Sequence, residues 1–267
     1  MRQAILDLWT QVIVVATILL PVQATPCAAA NPADGSTSID ERKLTVAKHL
    51  TDWLQKTLYE KRAIVAVVSR KGGNDVKGRD WTGMAHSGLA VYDPRAQTWI
   101  LYQLLNTGQW TPPCCELWRM APLDFFYGQT GYEENALVLI PDHETQDRVY
   151  DAVLTGKVRK LAFTTRYNLL SQYDSTDSLN CNKWILMALA AARTDDYDPQ
   201  HVLTTIHQGF KPGRLHMNFI EKAVVKRKKN VRKEELPAFG AVQTVTPQSL
   251  YDSGLFEEKL FAAPVKQ

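Results

Sequence analysis

Two side chains in this chain have the types and settings that nucleophilic catalysis needs. Cys181 stands in "SLNCNKWILMALAAAR", directly before an apolar helical run. A thiol reacts as its thiolate, and the unpaired N–H groups and dipole of a helix N-terminus favour negative charge there. The same N–H groups suit an oxyanion on an acyl carbon under attack. This address predicts a thiol pKa below the free value of about 8.5. His86 opens the strand-like run "HSGLAVYD", and Gly88 beside it allows another group to approach closely. A histidine starting a strand, a cysteine starting a helix and a polar residue on the neighbouring strand form a nucleophile, a base and an orienting group. The neighbouring run "QTWILYQLLN" supplies Tyr102 and Gln103. Gln103 is preferred because its amide oxygen accepts from an imidazole N–H.

The other histidines offer less. His49 lies beside the apolar stripe of a helix and reads as surface or packing, and His143 falls in a first helical turn, where it reads as capping. His201, His207 and His216 have no partner motif and no zinc-ligand spacing. Cys115 with His143 is a rival pair in papain order, but a proline-rich loop and a helix start suit it poorly. No metal or cofactor is expected.

Positioning elements follow from periodicity. Leu44, Ala47, Leu50, Leu54 and Leu58 predict an amphipathic helix over residues 40–61. "AIVAVVSR" (63–70) reads as a strand, and residues 86–93 and 97–106 read as an antiparallel hairpin turning at Asp93-Pro94. "GQWTPPCCELWRM" reads as a loop entering a short helix through Phe126. "ALVLIP" reads as a strand, with Asp142 capping a helix to about Leu154 and Asn180 capping the helix that holds Cys181. A helix over 199–207, a strand "AVQTV" and a short helix after Pro247 complete the prediction. Strands mixed with helices without strict alternation imply an α+β class.

The whole chain sets bounds. Its 267 residues, 45% hydrophobic and 22% charged, fit one soluble domain with appendages. A net charge of +3 assigns no nucleic-acid partner. The basic run "KRKKNVRK" (226–233) meets Glu234 and Glu235 at once and reads as a solvated face. At the start, Arg2 precedes "VIVVATILL" (12–20), Pro21 and small residues, the pattern of a secretory signal peptide. That apolar run is about half the roughly twenty residues a membrane span needs, so no stable span is expected after signal removal. The expected organisation is a signal peptide over 1–24 (cleavage after Ala30 as the fallback), a flexible linker over 25–38 and a single α+β domain over 39–267. Export to a periplasmic or extracellular space favours disulfides, yet the cysteines are only Cys27, Cys114, Cys115 and Cys181. A disulfide scaffold is excluded. The adjacent Cys114 and Cys115 could form a strained disulfide, a reactive pair or a buried one.

The order of these pieces carries a resemblance. "MAHSGLAVYD", "WILYQLLN" and "YNLLSQYDSTDSLNCNKW" together resemble the circularly permuted branch of the NlpC-type papain-like superfamily, whose lecithin–retinol acyltransferase-like members place a histidine on the first core strand and "NC" plus an aromatic at a later helix start. The segments "DFF", "LVLIP", "FTTRYN" and "TPQSLYD" extend the likeness, over roughly 63–255, to a secreted bacterial family of unknown function placed in that superfamily. The resemblance implies a permuted papain-like fold, a small antiparallel sheet packed on helices, with Cys181 as nucleophile and His86 as general base. The superfamily's third position falls on Tyr102 or Gln103, where no histidine stands. The implied activity is hydrolysis or acyl transfer on an amide or ester through a Cys181 thioester, with cell-envelope peptides and lipids among the implied substrates. The competing expectations are a non-catalytic secreted binding domain with Cys181 packed under Trp184, and a redox role for Cys114-Cys115.

Overall fold

The computed structural model describes residues 39–71, 84–106, 115–129, 131–164, 166–217, 226, 231–237 and 240–262. The proposed signal peptide, its cleavage sites, the linker, Cys27, Cys114 and most of the basic run lie outside the described residues.

Six strands build one antiparallel sheet. Strands β1 (Val65–Arg70), β2 (His86–Asp93), β3 (Thr98–Asn106), β4 (Cys115–Met120) and β5 (Ala136–Ile140) are joined by a late strand β8 (Glu258–Phe261), in the order β4-β3-β2-β1-β5-β8. Helix α1 (Glu41–Glu60) and α2 (Pro122–Tyr127) cover one face. Helices α3 (His143–Leu154) and α4 (Cys181–Thr194) cover the other, with α5 (Pro199–Gly209) packed behind α4. A short α6 (Pro247–Tyr251) and a two-stranded ribbon of β6 (Gly213–Leu215) and β7 (Val242–Thr244) complete the fold. The class is α+β, as the mixed order of elements predicted.

Layering explains why the central strands are apolar runs rather than alternating ones. In β1, Val65 and Val67 enter the core beneath α3 and α4, while Ala66 and Val68 enter the core beneath α1. In β5, Leu137 and Leu139 face the first core, and Ala136, Val138 and Ile140 the second. A strand covered on both faces must be apolar at every position. Helix α4 is buried nearly all round. Cys181 to Leu189, Ala191 and Ala192 are all buried, because the sheet, α3 and α5 enclose it.

The helices after Asp142 and Asn180 carry their predicted caps, and Asp40 caps α1 as well. Asp40 accepts from Lys43 N at 3.0 Å and Asp142 from Thr145 N at 2.8 Å. Asn180 accepts from Lys183 N at 2.8 Å. Each pairing satisfies a first-turn N–H that no helical carbonyl can reach.

Two elements depart from the prediction. Residues 115–120 are strand β4, not loop, paired from Leu101↔Met120 to Asn106↔Cys115. "CELWRM" has little alternation of its own, and the free edge of β3 recruits it. The last strand, β8, pairs Leu137↔Phe261 through Ile140↔Glu258 and closes the opposite edge.

Candidate functional site

At the end of the sheet where β1 stops and β2 starts, His86 meets its polar partner Gln103 and the Phe125 ring on one face, while Cys181 belongs to the core on the other face and meets β2 through the Ser87 N–H. The hairpin register pairs Leu89 with Tyr102, so Gln103 lies diagonally beside His86 on the α2 face. His86 Nε2 and Gln103 Oε1 are hydrogen-bonded. Because a glutamine oxygen only accepts, Nε2 carries the proton and Nδ1 keeps its lone pair. Tyr102 points to the opposite face, with Arg119 over its ring at 5.5 Å, and takes no part. Gln103 also donates to the Met120 sulfur, so both ends of its amide are held.

Cys181 is the first residue of α4 and is 2% exposed. Backbone N–H groups of Ser87, Asn182 and Cys181 itself reach its sulfur. Ser87 directly follows His86, so consecutive residues of β2 serve the imidazole and the thiol. Ser87 Oγ in turn bonds Ser69 Oγ on β1 at 2.7 Å, which ties the two strands beneath the sulfur.

The expected low thiol pKa is corrected by burial. Burial pushes the Cys181 thiol up, and it outweighs the three N–H groups and the Arg70 cation that pull it down. Burial also lowers His86 to about 3, assisted by the neighbouring Arg70, while the bond to Gln103 acts in the other sense. At neutral pH both groups are therefore neutral, a thiol and an imidazole rather than a preformed ion pair. A helix start attracts a thiolate only where water or a counter-charge offsets its desolvation, and this site is closed.

Arg70 is the functional neighbour that the sequence reading missed. It pairs with His86 in the β1–β2 register, is 8% exposed and lies over the Phe125 ring at 4.9 Å. Its Nη1 donates to Gly128 O at 2.8 Å and Lys71 O at 3.1 Å. Burial lowers its pKa to about 10, opposed by Cys181, so it stays charged at neutral pH. A cation ending a run as apolar as "AIVAVVS" was the available signal, since buried arginines are rare without a partner. Tyr167 is a second neighbour without a sequence signal. It is buried beside Cys181 and Cys115, and burial raises its phenol well above the ordinary range.

Gly88 is filled from within the protein. A Cβ there would meet Phe125 at 3.2 Å and Leu101 at 3.3 Å, so the missing side chain makes room for α2.

Behind the thiol, a buried lysine fastens the preceding loop. Lys183 is fully buried, and its Nζ donates to the carbonyls of Gln172 at 2.9 Å, Ser178 at 3.1 Å and Ser175. Asn180 Nδ2 adds bonds to Leu169 O and Thr244 Oγ1, both at 3.2 Å. The stretch "NCNK" thus caps α4, presents the thiol and staples the 169–178 loop. Burial lowers Lys183 to about 8, with Asp174, Glu235 and Asp177 opposing, and it remains charged at neutral pH.

The rival chemistry is not assembled. Cys115 is buried in β4 and donates to Thr164 O at 2.9 Å, whereas His143 is exposed on α3. His49, His201, His207 and His216 are exposed too. Among the described residues, no three His, Cys, Asp or Glu side chains converge as metal ligands, and no helix is long and apolar enough to cross a membrane.

No curated protein and no solved structure matches the chain. A family model does, over residues 57–252, a range that contains the whole constellation from Arg70 through Lys183. The chain therefore belongs to DUF2145, the family described as an uncharacterized protein conserved in bacteria.

Proposed function

We propose that this protein is an exported cysteine hydrolase or acyltransferase on the permuted papain-like plan, acting on an amide or ester. The observation that carries this reading is the shared strand: His86 is bonded through Nε2 to Gln103, and the next peptide N–H reaches the Cys181 sulfur. Gln103 holds the imidazole so that Nδ1 takes the thiol proton. The sulfur adds to the substrate carbonyl, and N–H groups at the start of α4 receive the oxyanion. Collapse expels an amine or alcohol, which takes the proton back from His86, and leaves a thioester. Water or a second acceptor, deprotonated by the same imidazole, then releases the acyl group and restores the thiol. With both groups neutral at rest, the imidazole acts as a general base during attack. Arg70, within electrostatic reach of the sulfur, stabilises the developing thiolate.

The test is intact-mass spectrometry after exposure to 4-nitrophenyl acetate. An acetyl adduct should form on wild type and vanish in Cys181→Ala. His86→Ala should slow its formation about 10²–10⁴-fold. An adduct that survives loss of Cys181 would overturn the assignment.

One observation favours a second reading, a non-catalytic binding domain on the same fold: the thiol is buried and pushed toward its neutral form. Iodoacetamide separates the two. Catalysis requires Cys181 to be alkylated in folded protein and His86→Ala to slow the reaction. Alkylation that is absent, or indifferent to His86, leaves only the binding domain.

A further inference from the structure

The other end of β2 carries a site of different chemistry. Between the sheet and α3 lies a cleft of about 420 Å³, within the usual range of small-ligand pockets. Its floor is the apolar sheet face of Val91, Ile100 and Leu117, and its far wall is Val153 and Val158. Three guanidiniums, Arg95, Arg119 and Arg159, stand around it against one carboxylate, Asp93. Asp93 is itself engaged, accepting from the Arg95 and Ala96 N–H groups at 2.9 and 3.3 Å and lying 3.7 Å from Arg119. Among the described residues, the side chains of Arg95 and Arg159 form no ion pair. Two phenols, Tyr102 and Tyr150, flank the cleft, and Arg119 lies over the Tyr102 ring at 5.5 Å. Arg119 and Arg159 both line the cleft together with Tyr102.

We propose that this cleft binds a small phosphate monoester whose organic body is flat and apolar. Three cations against one carboxylate leave two positive charges to match. A phosphate monoester carries about two negative charges near neutral pH, where a carboxylate carries one. Guanidinium forks meet phosphate oxygens in paired hydrogen bonds. The tyrosine rings and the aliphatic floor give an aromatic body a surface to stack on. The nearest β2 residue of the cleft, Val91, is five residues on from His86, about 17 Å at the usual rise per residue.

Isothermal titration calorimetry on the full chain tests this with phenyl phosphate, inorganic phosphate, benzoate and benzyl alcohol as probes. Phenyl phosphate should bind at least about tenfold more tightly than each of the other three, and the binding should weaken as salt is raised. Arg119→Gln and Arg159→Gln should each weaken it about tenfold, while both exposed substitutions leave the circular dichroism spectrum unchanged. Tyr150→Ala should lower phenyl phosphate affinity toward that of inorganic phosphate. Equal binding of phenyl phosphate and inorganic phosphate overturns the aromatic part of the proposal. Equal binding of benzoate overturns the phosphate part. Absence of binding at millimolar concentration, or indifference to both arginine substitutions, overturns the site.

Discussion

At one end of β2 the charged and titratable groups are buried, and at the other end they stand in water. Arg70 is 8% exposed, and Lys183 and Ser87 are fully enclosed. Their neighbours His86 and Cys181 are both driven to neutral forms. By contrast, the Arg119 side chain is 56% exposed, and its ion pair with Asp93 spans 3.7 Å. The same residue types therefore behave differently. At the closed end desolvation dominates, and every polar group needs a specific partner or shifts its pKa. At the open end solvent screens the charges, and they remain available to a ligand. Proximity to a helix start or a counter-charge does not by itself activate a group; exposure decides whether that proximity is felt.

The contrast can be broken most directly at Lys183. Lys183→Ala leaves the carbonyls of Gln172, Ser175 and Ser178 without their shared donor and should cost about 3 kcal/mol in urea unfolding. A loss under about 1 kcal/mol would mean that water replaces the ammonium and that this end is not closed.

A slightly smaller effect should appear with pH. His86 is lowered from its ordinary value to about 3, so the unfolded chain takes up this proton before the folded one does. The stabilisation is complete above about pH 6.5 and is lost as pH falls toward 3. Its full extent is about 2–3 kcal/mol for a ring that keeps some exposure. The urea stability of wild type should therefore fall more steeply between pH 7 and pH 4 than that of His86→Gln. Parallel curves would show His86 to be solvated.

Gly88→Ala sharpens the packing side of the comparison. A Cβ set 3.2 Å from the Phe125 ring and 3.3 Å from Leu101 makes both side chains give way slightly and should cost about 1–2 kcal/mol, read as a lowered melting temperature. At the open end, Arg119→Gln and Arg159→Gln should each stay within about 0.5 kcal/mol of wild type in the same assay. A larger loss there would assign the arginines to folding rather than to ligand binding.

Much of the site could be read from the residues. Asn180 before an apolar run announced a capped helix with Cys181 at its start. "HSGLAVYD" and "QTWILYQLLN" around Asp93-Pro94 announced a hairpin, and with it that Gln103 or Tyr102 would neighbour His86. Choosing between them needed the register, because a shift of one residue exchanges the faces of a strand. Arg70 comes from β1, far from Cys181 in sequence, while Tyr167 and the carbonyl partners of Lys183 lie in the irregular segment just before α4, whose path no periodic pattern announces.

What the sequence alone determined was local: the caps at Asp142 and Asn180, the strands β1 and β5, the hairpin, and the α+β class. These depend on side-chain type and spacing within a few residues. Tertiary structure decided the rest. It made a strand of residues 115–120 by offering the edge of β3, joined β8 to β5 across more than a hundred residues, and set Arg70 beside His86. Above all it reversed the expected state of Cys181, because a helix N-terminus is a local feature, whereas desolvation is the sum of everything the fold packs around the sulfur.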